Sequence, residues 1–505
     1  MMNSELIYYD EPCISFGYSQ STEDSRDGLT LFGPYKKTTG EVRVGVIGTL
    51  DGINAYKSFT EEVNKSIITQ STGRPSFPGF HAVFNLKWSS VPTAEILLDK
   101  NEINRLLGTP NLYERTYQIV TLYLEQIKKY IQTEESQIDL WYIVIPHQIW
   151  SLCRPKSVSG KTSISKSQME QFNSGQMSLL PEEDVEIESY MNMYESDSDF
   201  HDQIKARILA ERVQTPVQIM LEETLQFKGK NGKLYNNDMK AHLLWTQCTS
   251  TYYKLGNLPW KLSNVRKGVC YIGLAFKTLQ NNQKRKGYAC CAAQMFLDSG
   301  DGMVFRGNIG PWRGKDEKTY HLDTPSAKDL IKIAIDSYKE STGEYPIELF
   351  IHARTQFTKD EWLGFNQAIE GCKDINLVGV AINEIDGFRL LRDTNLEECR
   401  YGIMRGLALK IDNRNGYLWT KGYIPKTETT NHLEIARPLK IKVSQGICDI
   451  DTVMRDILCL TKLNYNACIY GDGLPVTLRF SDNIGNILTA LKNVDWPARQ
   501  FKYYI

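Results

Sequence analysis

Residues 271–277 read YIGLAFK, and this stretch decides how the second half of the chain is interpreted. It lies at the centre of an apolar segment, GVCYIGLAFKTL (268–279), whose β-branched and aromatic residues are typical of a strand. The basic segment QNNQKRKG (280–287) separates it from a second apolar run, YACCAAQMFLDS (288–299). Two strand-like runs joined by a short polar segment predict a β-hairpin.

The segments after the hairpin extend this pattern. They predict, in order, a third strand (300–308), a helix (324–340), a strand (347–353), a helix (359–370) and a strand (376–383). Thr324 or Ser326 is the expected N-cap of the first helix, because a hydroxyl there accepts a hydrogen bond from the helix amino terminus. Three antiparallel strands followed by helix, strand, helix and strand is the order of a ribonuclease-H-like domain.

The first half of the chain has a different pattern, in which strands alternate with helices. The predicted strands include VRVGVIG (42–48), IDLWYIVIP (138–146) and TPVQIML (215–221), and a long amphipathic helix covers 112–132. Such alternation predicts a parallel, Rossmann-like sheet. The predicted fold class is therefore α/β, with a Rossmann-like domain followed by a ribonuclease-H-like domain.

These patterns also predict where the domains begin and end. We expect residues 1–37 to form short strands that pack on the second domain, 38–254 to form the Rossmann-like domain, and 255–505 to form the ribonuclease-H-like domain. A long insertion, 151–200, is first basic and serine-rich and then acidic. It is either a solvated loop or a loop that contacts a partner.

The composition is that of an ordinary globular protein, with 505 residues, 41% hydrophobic and 24% charged, and a net charge of −1. Any nucleic-acid-binding surface must therefore be a local positive patch. The sequence contains no apolar run of the ~20 residues that a membrane span needs and no secretory signal pattern, so we expect no membrane partner. Eleven cysteines without a CxxC motif predict reduced structural thiols and a cytoplasmic location.

Four polar residues between 201 and 254 form a candidate anion site. His201 and Lys205 are spaced i, i+4 on one helical face, Gln218 follows on a strand, and Lys254 ends the next helix. Two cations, an imidazole and an amide near a helix terminus suit a terminal phosphate. Ordinary surface charge on a helix would give the same i, i+4 spacing, so the spacing alone leaves both interpretations open.

The segments that carry these residues resemble the guide-binding MID domain of prokaryotic Argonaute proteins. They are DFHDQIKARI (199–208), TPVQIMLEETL (215–225) and YYKLGNLPWKL (252–262). The resemblance implies that His201, Lys205, Gln218 and Lys254 bind the 5′-phosphate of a guide. Two departures from the family pattern are the histidine in place of the common tyrosine and the long 151–200 insertion.

Other segments resemble the same family and cover most of the chain. EPCISFG (11–17) and DSRDGLTLFGPY (24–35) resemble its amino-terminal signature, and DILCLTKLNYN (456–466) and LPVTLRFSDNIGNIL (474–488) resemble the end of its PIWI domain. The chain thus resembles a short prokaryotic Argonaute made of MID and PIWI domains. In this family the carboxyl terminus reaches the phosphate pocket, which implies that Gln218 and the carboxylate of Ile505 hold a Mg²⁺ ion against the phosphate.

The positions that carry catalytic acids in active relatives are mostly altered here. The first strand has Ala275 in place of the aspartate, the middle position falls on Arg354, and Asp482 alone remains. One carboxylate does not hold the two metal ions that phosphodiester hydrolysis of this type needs. We therefore expect no catalytic residues and no target cleavage. The alternative is a guided nuclease that uses unconventional acids such as Asp298, Asp301 or Asp316.

Basic residues of the PIWI domain are candidates for contacts to the backbone of a guide–target duplex. They are Lys277, Lys284, Arg285, Lys286 and, as a weaker candidate, Arg437, with Arg306, Arg313 and Lys315 in the next loop. Such contacts read no sequence, and base pairing would supply the specificity. Solvated surface lysines would look the same in the sequence.

An inactive short Argonaute resembles the sensing half of a defence complex. The resemblance implies that a small guide, RNA in our prediction, pairs with invading single-stranded DNA. It also implies a partner subunit with an APAZ segment fused to an NAD-consuming effector, a TIR domain in preference to a sirtuin-like one, which assembles into higher-order oligomers and causes abortive infection. A metabolic enzyme is disfavoured, because no GxGxxG, P-loop or nucleophile elbow lies between a strand and a helix.

Overall fold

The computed structural model of the chain describes most of its residues. The described residues are 4–71, 73–134, 136–160, 193, 196–211, 213–229, 231–263, 266–278, 289–296, 302–310, 320–372, 374–391, 402–427, 429–430, 435–491 and 499–505, with the main chain alone at 278, 289–293, 305–310, 427, 429–430, 482 and 499. Within the described residues, no helix combines the length and the apolar character that crossing a membrane requires.

The chain begins with four short elements, which are followed by the strands and helices of the first half of the fold. The amino-terminal elements are β1 (Glu5–Tyr8), β2 (Ile14–Ser15), β3 (Ser21–Thr22) and α1 (Ser25–Phe32). The first half contains β4 (Gly40–Glu41), β5 (Val44–Gly48), α2 (Leu50–Val63), α3 (Phe80–Phe84), β6 (Leu86–Lys87), β7 (Ala94–Leu97), α4 (Lys100–Leu107), α5 (Leu112–Thr133), β8 (Leu140–Ile145), α6 (His147–Leu152), α7 (Phe200–Ala210), β9 (Val217–Leu221), α8 (Glu222–Leu225) and α9 (Asn237–Lys254).

The strands of this first half form a parallel sheet with helices on both faces. Among the described residues the strand order is β7-β5-β8-β9, and all three pairings are parallel. Alternate residues of β8 enter opposite cores: Tyr142 packs in the cluster that contains α2, and Trp141 and Ile143 pack in the cluster that contains α5. The Rossmann-like prediction is confirmed.

The second half is built around a larger sheet. Its elements are β10 (Lys261–Leu262), β11 (Val269–Thr278), β12 (Ala289–Phe296), β13 (Gly302–Gly310), α10 (Thr324–Thr342), β14 (Glu348–Ala353), α11 (Lys359–Ile369), β15 (Asn376–Glu384), β16 (Leu407–Lys410), β17 (Asn415–Leu418), β18 (Tyr423–Ile424), β19 (Thr429–Thr430), β20 (Leu439–Gln445), α12 (Ile450–Leu460), α13 (Val476–Arg479), α14 (Ser481–Thr489) and β21 (Arg499–Gln500).

The order of strands in this sheet matches the ribonuclease-H prediction. As far as the structure describes the chain, the order is β1-β16-β17-β20-β15-β14-β11-β12-β13-β21. The first three strands of the domain pair antiparallel, and β14 and β15 continue the sheet in parallel, which gives the ribonuclease-H arrangement. Side chains of α10 and α11 cover one face, and those of α12 to α14 cover the other.

The N-cap of α10 differs from the prediction. Asp323, and neither Thr324 nor Ser326, caps this helix, because its carboxylate accepts a hydrogen bond from the Ser326 amide at 2.9 Å. Asp323 lies directly before the first helical residue, whereas Thr324 is already inside the helix and donates its hydroxyl to the Asp360 carbonyl at 3.0 Å. Aspartate is as good a cap as serine or threonine.

The amino-terminal segment is held to the second half by a buried ion cluster. Both carboxylate oxygens of Glu11 accept hydrogen bonds from the Nε atom of Arg405, at 2.9 Å each. Lys462 forms a second ion pair with Glu11. Arg405 and Lys462 are almost fully buried, so their charges depend on Glu11 for compensation. Strand β1 meanwhile pairs antiparallel with β16.

A close backbone contact fixes the position of α13 on strand β11. A Cβ atom at Gly273 would lie 1.8 Å from the carbonyl oxygen of Thr477. Glycine is therefore the residue that allows the helix to lie directly on the strand. The same helix holds Thr477 Oγ1 3.0 Å from His352 Nδ1 on the neighbouring strand β14.

We expect Gly273→Ala to destabilise the protein by about 1–3 kcal/mol, because the added methyl must displace backbone rather than a flexible side chain. The measurement is the shift in urea midpoint or melting temperature. Gly387→Ala is the matched control, since a Cβ there meets nothing within 4 Å. Equal stability of the two variants would contradict the proposed contact.

Candidate anion-binding site

Helix α7 presents the first two predicted residues on one face. Asp199 caps the helix by accepting a hydrogen bond from the His201 amide at 2.9 Å. His201 and Lys205 follow one turn apart on the same face, and His201 lies in the first turn, near the positive end of the helix dipole. The i, i+4 spacing in the sequence therefore corresponds to one shared face.

Lys205 connects α7 to the carboxyl-terminal tail. Its side chain is 4% exposed, and its Nζ atom donates to the carbonyl oxygen of Tyr504 at 3.2 Å. Ile505 is the next residue and is also buried. The tail thus reaches the residues predicted to bind a phosphate, although almost 300 positions separate Lys205 from Tyr504 in the sequence.

Lys254 and Gln218 form the other side of the site. The Nζ atom of Lys254, at the end of α9, donates to Gln218 Oε1 at 2.6 Å and to the Val217 carbonyl at 3.0 Å. Gln218 lies on β9, directly after Val217. Lys254 is 2% exposed, so it is held inside the protein by neutral oxygen atoms.

Burial disfavours the charged form of both lysines. It lowers the pKa of Lys205 to about 8, although the nearby Asp202 carboxylate opposes this fall. Burial also lowers the pKa of Lys254 well below its usual value, and the nearby charge of Lys205 lowers it further. Within the described residues neither ammonium group forms an ion pair, since their hydrogen-bond acceptors are carbonyl and amide oxygens. An incoming anion would relieve this unfavourable arrangement.

His201 faces the same positive charges. Its imidazole has 47% of its surface exposed, and Nδ1 lies 3.0 Å from the Asp202 carboxylate. Desolvation and then the charge of Lys205 lower the pKa of His201, and Lys254 adds to this effect. The imidazole is therefore neutral at neutral pH, and one ring nitrogen carries a hydrogen that can be donated to an anion.

Asp202 is a member of the site that the sequence interpretation missed. Burial raises its pKa to about 6, while Lys205 and Lys277 oppose this rise. Because the charge of Lys277 acts on Asp202, Lys277 on strand β11 lies beside α7, at the boundary between the two halves. The i, i+3 spacing of Asp202 and Lys205 was a signal available in the sequence.

The predicted Mg²⁺ ligands are compatible with that ion in their chemistry. Gln218 Oε1 already accepts from Lys254 but retains a second lone pair, and the carboxylate of Ile505 would be the other donor. Mg²⁺ takes most of its remaining ligands from phosphate and water. Among the described residues no group of three or more His, Cys, Asp or Glu side chains could hold a metal ion without such help.

Two of the three positions predicted to correspond to catalytic acids lie on or directly after strands of the second sheet. Ala275 pairs with Ala292 on β12, and Gly273 pairs with His352 on β14. Ala275 lies within β11, two residues after Gly273, and Arg354 directly follows the last residue of β14. Asp482 lies in helix α14, and its side chain falls outside the described residues.

Near Ala275 the second sheet carries buried polar side chains. His352 and Gln294 are both fully buried, and Gly273 pairs with each of them on its two neighbouring strands. Within the described part of the chain, His352 Nε2 and both amide atoms of Gln294 have no hydrogen-bond partner. Burial lowers the pKa of His352 to about 3, so this imidazole is neutral and unsuited to contacting a phosphate as a cation.

The residues predicted to contact a duplex backbone have different surroundings. Lys277 is half-buried beside α7 and α14, where a Cβ atom added to Gly485 would lie 3.1 Å from the Lys277 Cβ. Arg437 forms an ion pair with Asp386. The side chains of Lys284, Arg285, Lys286, Arg306, Arg313 and Lys315, and the alternative acids Asp298, Asp301 and Asp316, lie outside the described residues.

The comparisons with known proteins identify the fold. No protein-family model matches the sequence, and no curated protein matches it. The Argonaute of Clostridium butyricum, solved with a guide DNA and a 19-mer target DNA, is similar over 100% of this chain, with a TM-score of 0.65 and 14% identity. Aa-Ago with externally bound siRNA has a TM-score of 0.54 at 16% identity over 99% of this chain.

A third solved structure, A. aeolicus Argonaute, has a TM-score of 0.51 at 14% identity over 98% of this chain. The chain spans 55% of the length of the first and third of these structures and 56% of the second. At this level of identity the likeness concerns the fold alone. The two sheets and their helices have the MID–PIWI architecture of Argonaute proteins.

Proposed function

We propose that this chain binds the 5′-phosphorylated end of a short guide, RNA in our prediction, in the site of His201, Lys205, Gln218 and Lys254. The observation that carries this proposal is the pair of buried ammonium groups of Lys205 and Lys254, whose hydrogen-bond acceptors are neutral oxygens. A phosphate dianion would supply the missing negative charge. The imidazole of His201 would donate one directed hydrogen bond.

The Argonaute fold supports the next step of the proposal. One neighbour was solved with both a guide DNA and a target DNA. We propose that the guide bound here pairs with complementary single-stranded DNA, with Lys277 near the path of the duplex backbone. Base pairing supplies the sequence specificity, so the protein needs only backbone contacts. Mg²⁺ held by Gln218 and Ile505 would supply counter-charge between the tail carboxylate and the phosphate.

We further propose that target recognition activates an APAZ-containing partner with an NAD-consuming domain, TIR in preference to sirtuin-like, in a defence response. The resemblance of the sequence motifs supports this step, and Ala275 and Arg354 at the altered positions support a protein that senses without cutting. Duplex binding must then favour the effector-active state by a difference in free energy between two states of the complex. Oligomerisation of the complex would be one such state.

We expect Lys205→Ala/Lys254→Ala to lose the preference for a 5′-phosphorylated guide over a 5′-hydroxyl guide. Two charge-assisted hydrogen bonds are removed, so affinity for the phosphorylated guide should fall at least about 100-fold. The measurement is a pair of binding isotherms, repeated with EDTA to test the role of Mg²⁺. Lys129→Ala/Lys332→Ala is the matched control. A wild-type protein without any 5′-phosphate preference would refute the proposal.

We expect the guide-loaded complex with its partner to leave a matched DNA target uncut in Mg²⁺ or Mn²⁺ while it consumes NAD. The reason is that the two-metal carboxylate set is incomplete at Ala275 and Arg354. Both readouts come from one reaction with labelled target. Cleavage by the wild-type chain that Asp482→Ala abolishes would instead favour the guided-nuclease alternative.

The burial of Lys205 also predicts that this residue lowers the free energy of unfolding of the guide-free protein. The pKa of Lys205 falls from 10.5 to about 8 in the folded state, so the unfolded chain binds more protons between these values and stability rises with pH across that range. Below pH 8 the charged lysine costs up to about 3 kcal/mol. Lys205→Met should therefore stabilise the guide-free protein at pH 7 and lose this advantage near pH 10.

Urea unfolding of both proteins at the two pH values measures this difference, with Lys129→Met as the exposed control. A Lys205→Met protein that is less stable than wild type at pH 7 would show that the buried ammonium stabilises the guide-free fold. That outcome would contradict the electrostatic account of the site.

A further inference from the structure

Four lysines and two tyrosines from three distant segments form a continuous patch beside the tail. We define the lysine–tyrosine surface as Tyr18, Tyr35, Lys36, Lys37, Lys261 and Lys502. Main-chain hydrogen bonds bring the segments together: Tyr35 N donates to Pro259 O at 2.8 Å, and Lys36 N donates to Leu258 O at 3.1 Å. The hydroxyl of Tyr252 also donates to the Lys36 carbonyl.

The lysines of this surface are held in place by neighbouring groups. The Nζ atom of Lys37 lies 3.4 Å from the ring centroid of Tyr18, which is 78% exposed, and the Nζ atom of Lys261 lies 4.5 Å from that of Tyr35. The stem of Lys37 occupies space that a Cβ at Gly17 would fill, since its Cε would be 2.8 Å away. Cation–π contact and close packing reduce the freedom of both side chains.

Lys502 is positioned in a similar way. Its Nζ atom lies 3.3 Å from where a Cβ on Gly256 would be, and Gly256 has a φ of +85°, in the region that favours glycine. Desolvation, and then the charge of Lys36, lower the pKa of Lys502. Like charges therefore converge where the tail crosses the Gly256 turn.

The charges on this surface have no acidic ion-pair partner in the described part of the chain. Within the described residues none of the four lysines forms an ion pair, whereas Lys57, Lys65 and Lys100 pair with Glu95, Glu62 and Asp51. The chain as a whole carries a net charge of −1, so four unpaired cations in one place are a local feature. An extended polyanion suits such a surface better than a single small anion does.

We propose that the lysine–tyrosine surface binds the backbone of single-stranded nucleic acid outside the 5′-phosphate site. Lysines contact phosphates, and the largely exposed ring of Tyr18 offers a face on which a base can stack without sequence preference. The surface adjoins the proposed guide site, because Lys502 is two residues before Tyr504, whose carbonyl accepts from Lys205. The inference therefore rests on the proposed function for the identity of the strand, which is the guide or its target.

The test measures the salt dependence of binding to a 3′-labelled, 5′-hydroxyl single-stranded RNA of about 20 nucleotides, between about 50 and 300 mM salt. Lys36→Ala/Lys37→Ala/Lys502→Ala should reduce the slope of log affinity against log salt by about 2, since each lost phosphate contact contributes about 0.7. Lys129→Ala/Lys233→Ala/Lys332→Ala should leave the slope unchanged. Replacement of the same three residues by arginine should preserve it.

The outcomes separate this inference from the proposed function. An unchanged slope in a folded triple-alanine variant would overturn the inference, as would equal loss of slope in the control variant. Polyglutamate is tested as a competitor that displaces the RNA. If the affinity for polyglutamate falls in the triple variant while the affinity for RNA does not, the surface is assigned to an acidic protein and the inference is also overturned. A normal 5′-phosphate preference in the triple variant leaves the guide site intact in either case.

Discussion

The burial of two lysine ammonium groups close together is the constraint on which the site depends. Water would stabilise each charge far better than the carbonyl and amide oxygens that Lys205 and Lys254 contact. Both groups remain buried, and the pKa of each is lowered. Such an arrangement persists only if the surrounding fold is stable enough to impose it. The stability of the surrounding fold is thus what holds both ammonium groups in the interior.

The architecture meets this requirement by joining the two halves in one core. A single hydrophobic cluster contains Tyr142 of the first sheet and Tyr271 of the second. At the junction, Tyr253 stacks on Tyr465 with ring centroids 4.5 Å apart, and the indole of Trp260 donates to the Lys462 carbonyl at 3.0 Å. The tail closes over this junction and reaches Lys205. The ligand proposed for this site would contact groups from both halves, so its binding energy would act on their relative arrangement.

The sequence predicted the elements better than their contacts. The strand and helix periodicities predicted both sheets, because buried strands and amphipathic helices have recognisable local sequence patterns. The position of His201 and Lys205 on one helix face was also predicted from a local pattern, their i, i+4 spacing. Asp202 was missed although it is adjacent, since an acid beside a predicted phosphate site reads as unfavourable until burial raises its pKa to about 6. The contact of Lys205 with Tyr504 and the close approach of Thr477 to Gly273 depend on folding over hundreds of residues, and no local pattern encodes them.

Around position 275 the second sheet combines small residues with buried polar side chains. Ala275 pairs with Ala292 and, unlike an aspartate, offers no metal ligand. Beside it, His352 and Gln294 are buried with polar atoms that lack partners among the described residues. Unsatisfied groups of this kind cost free energy, and hydrophobic residues of similar size would remove that cost. His352 and Gln294 both pair with Gly273, two residues before Ala275, so this cost falls next to the position where a catalytic aspartate was expected.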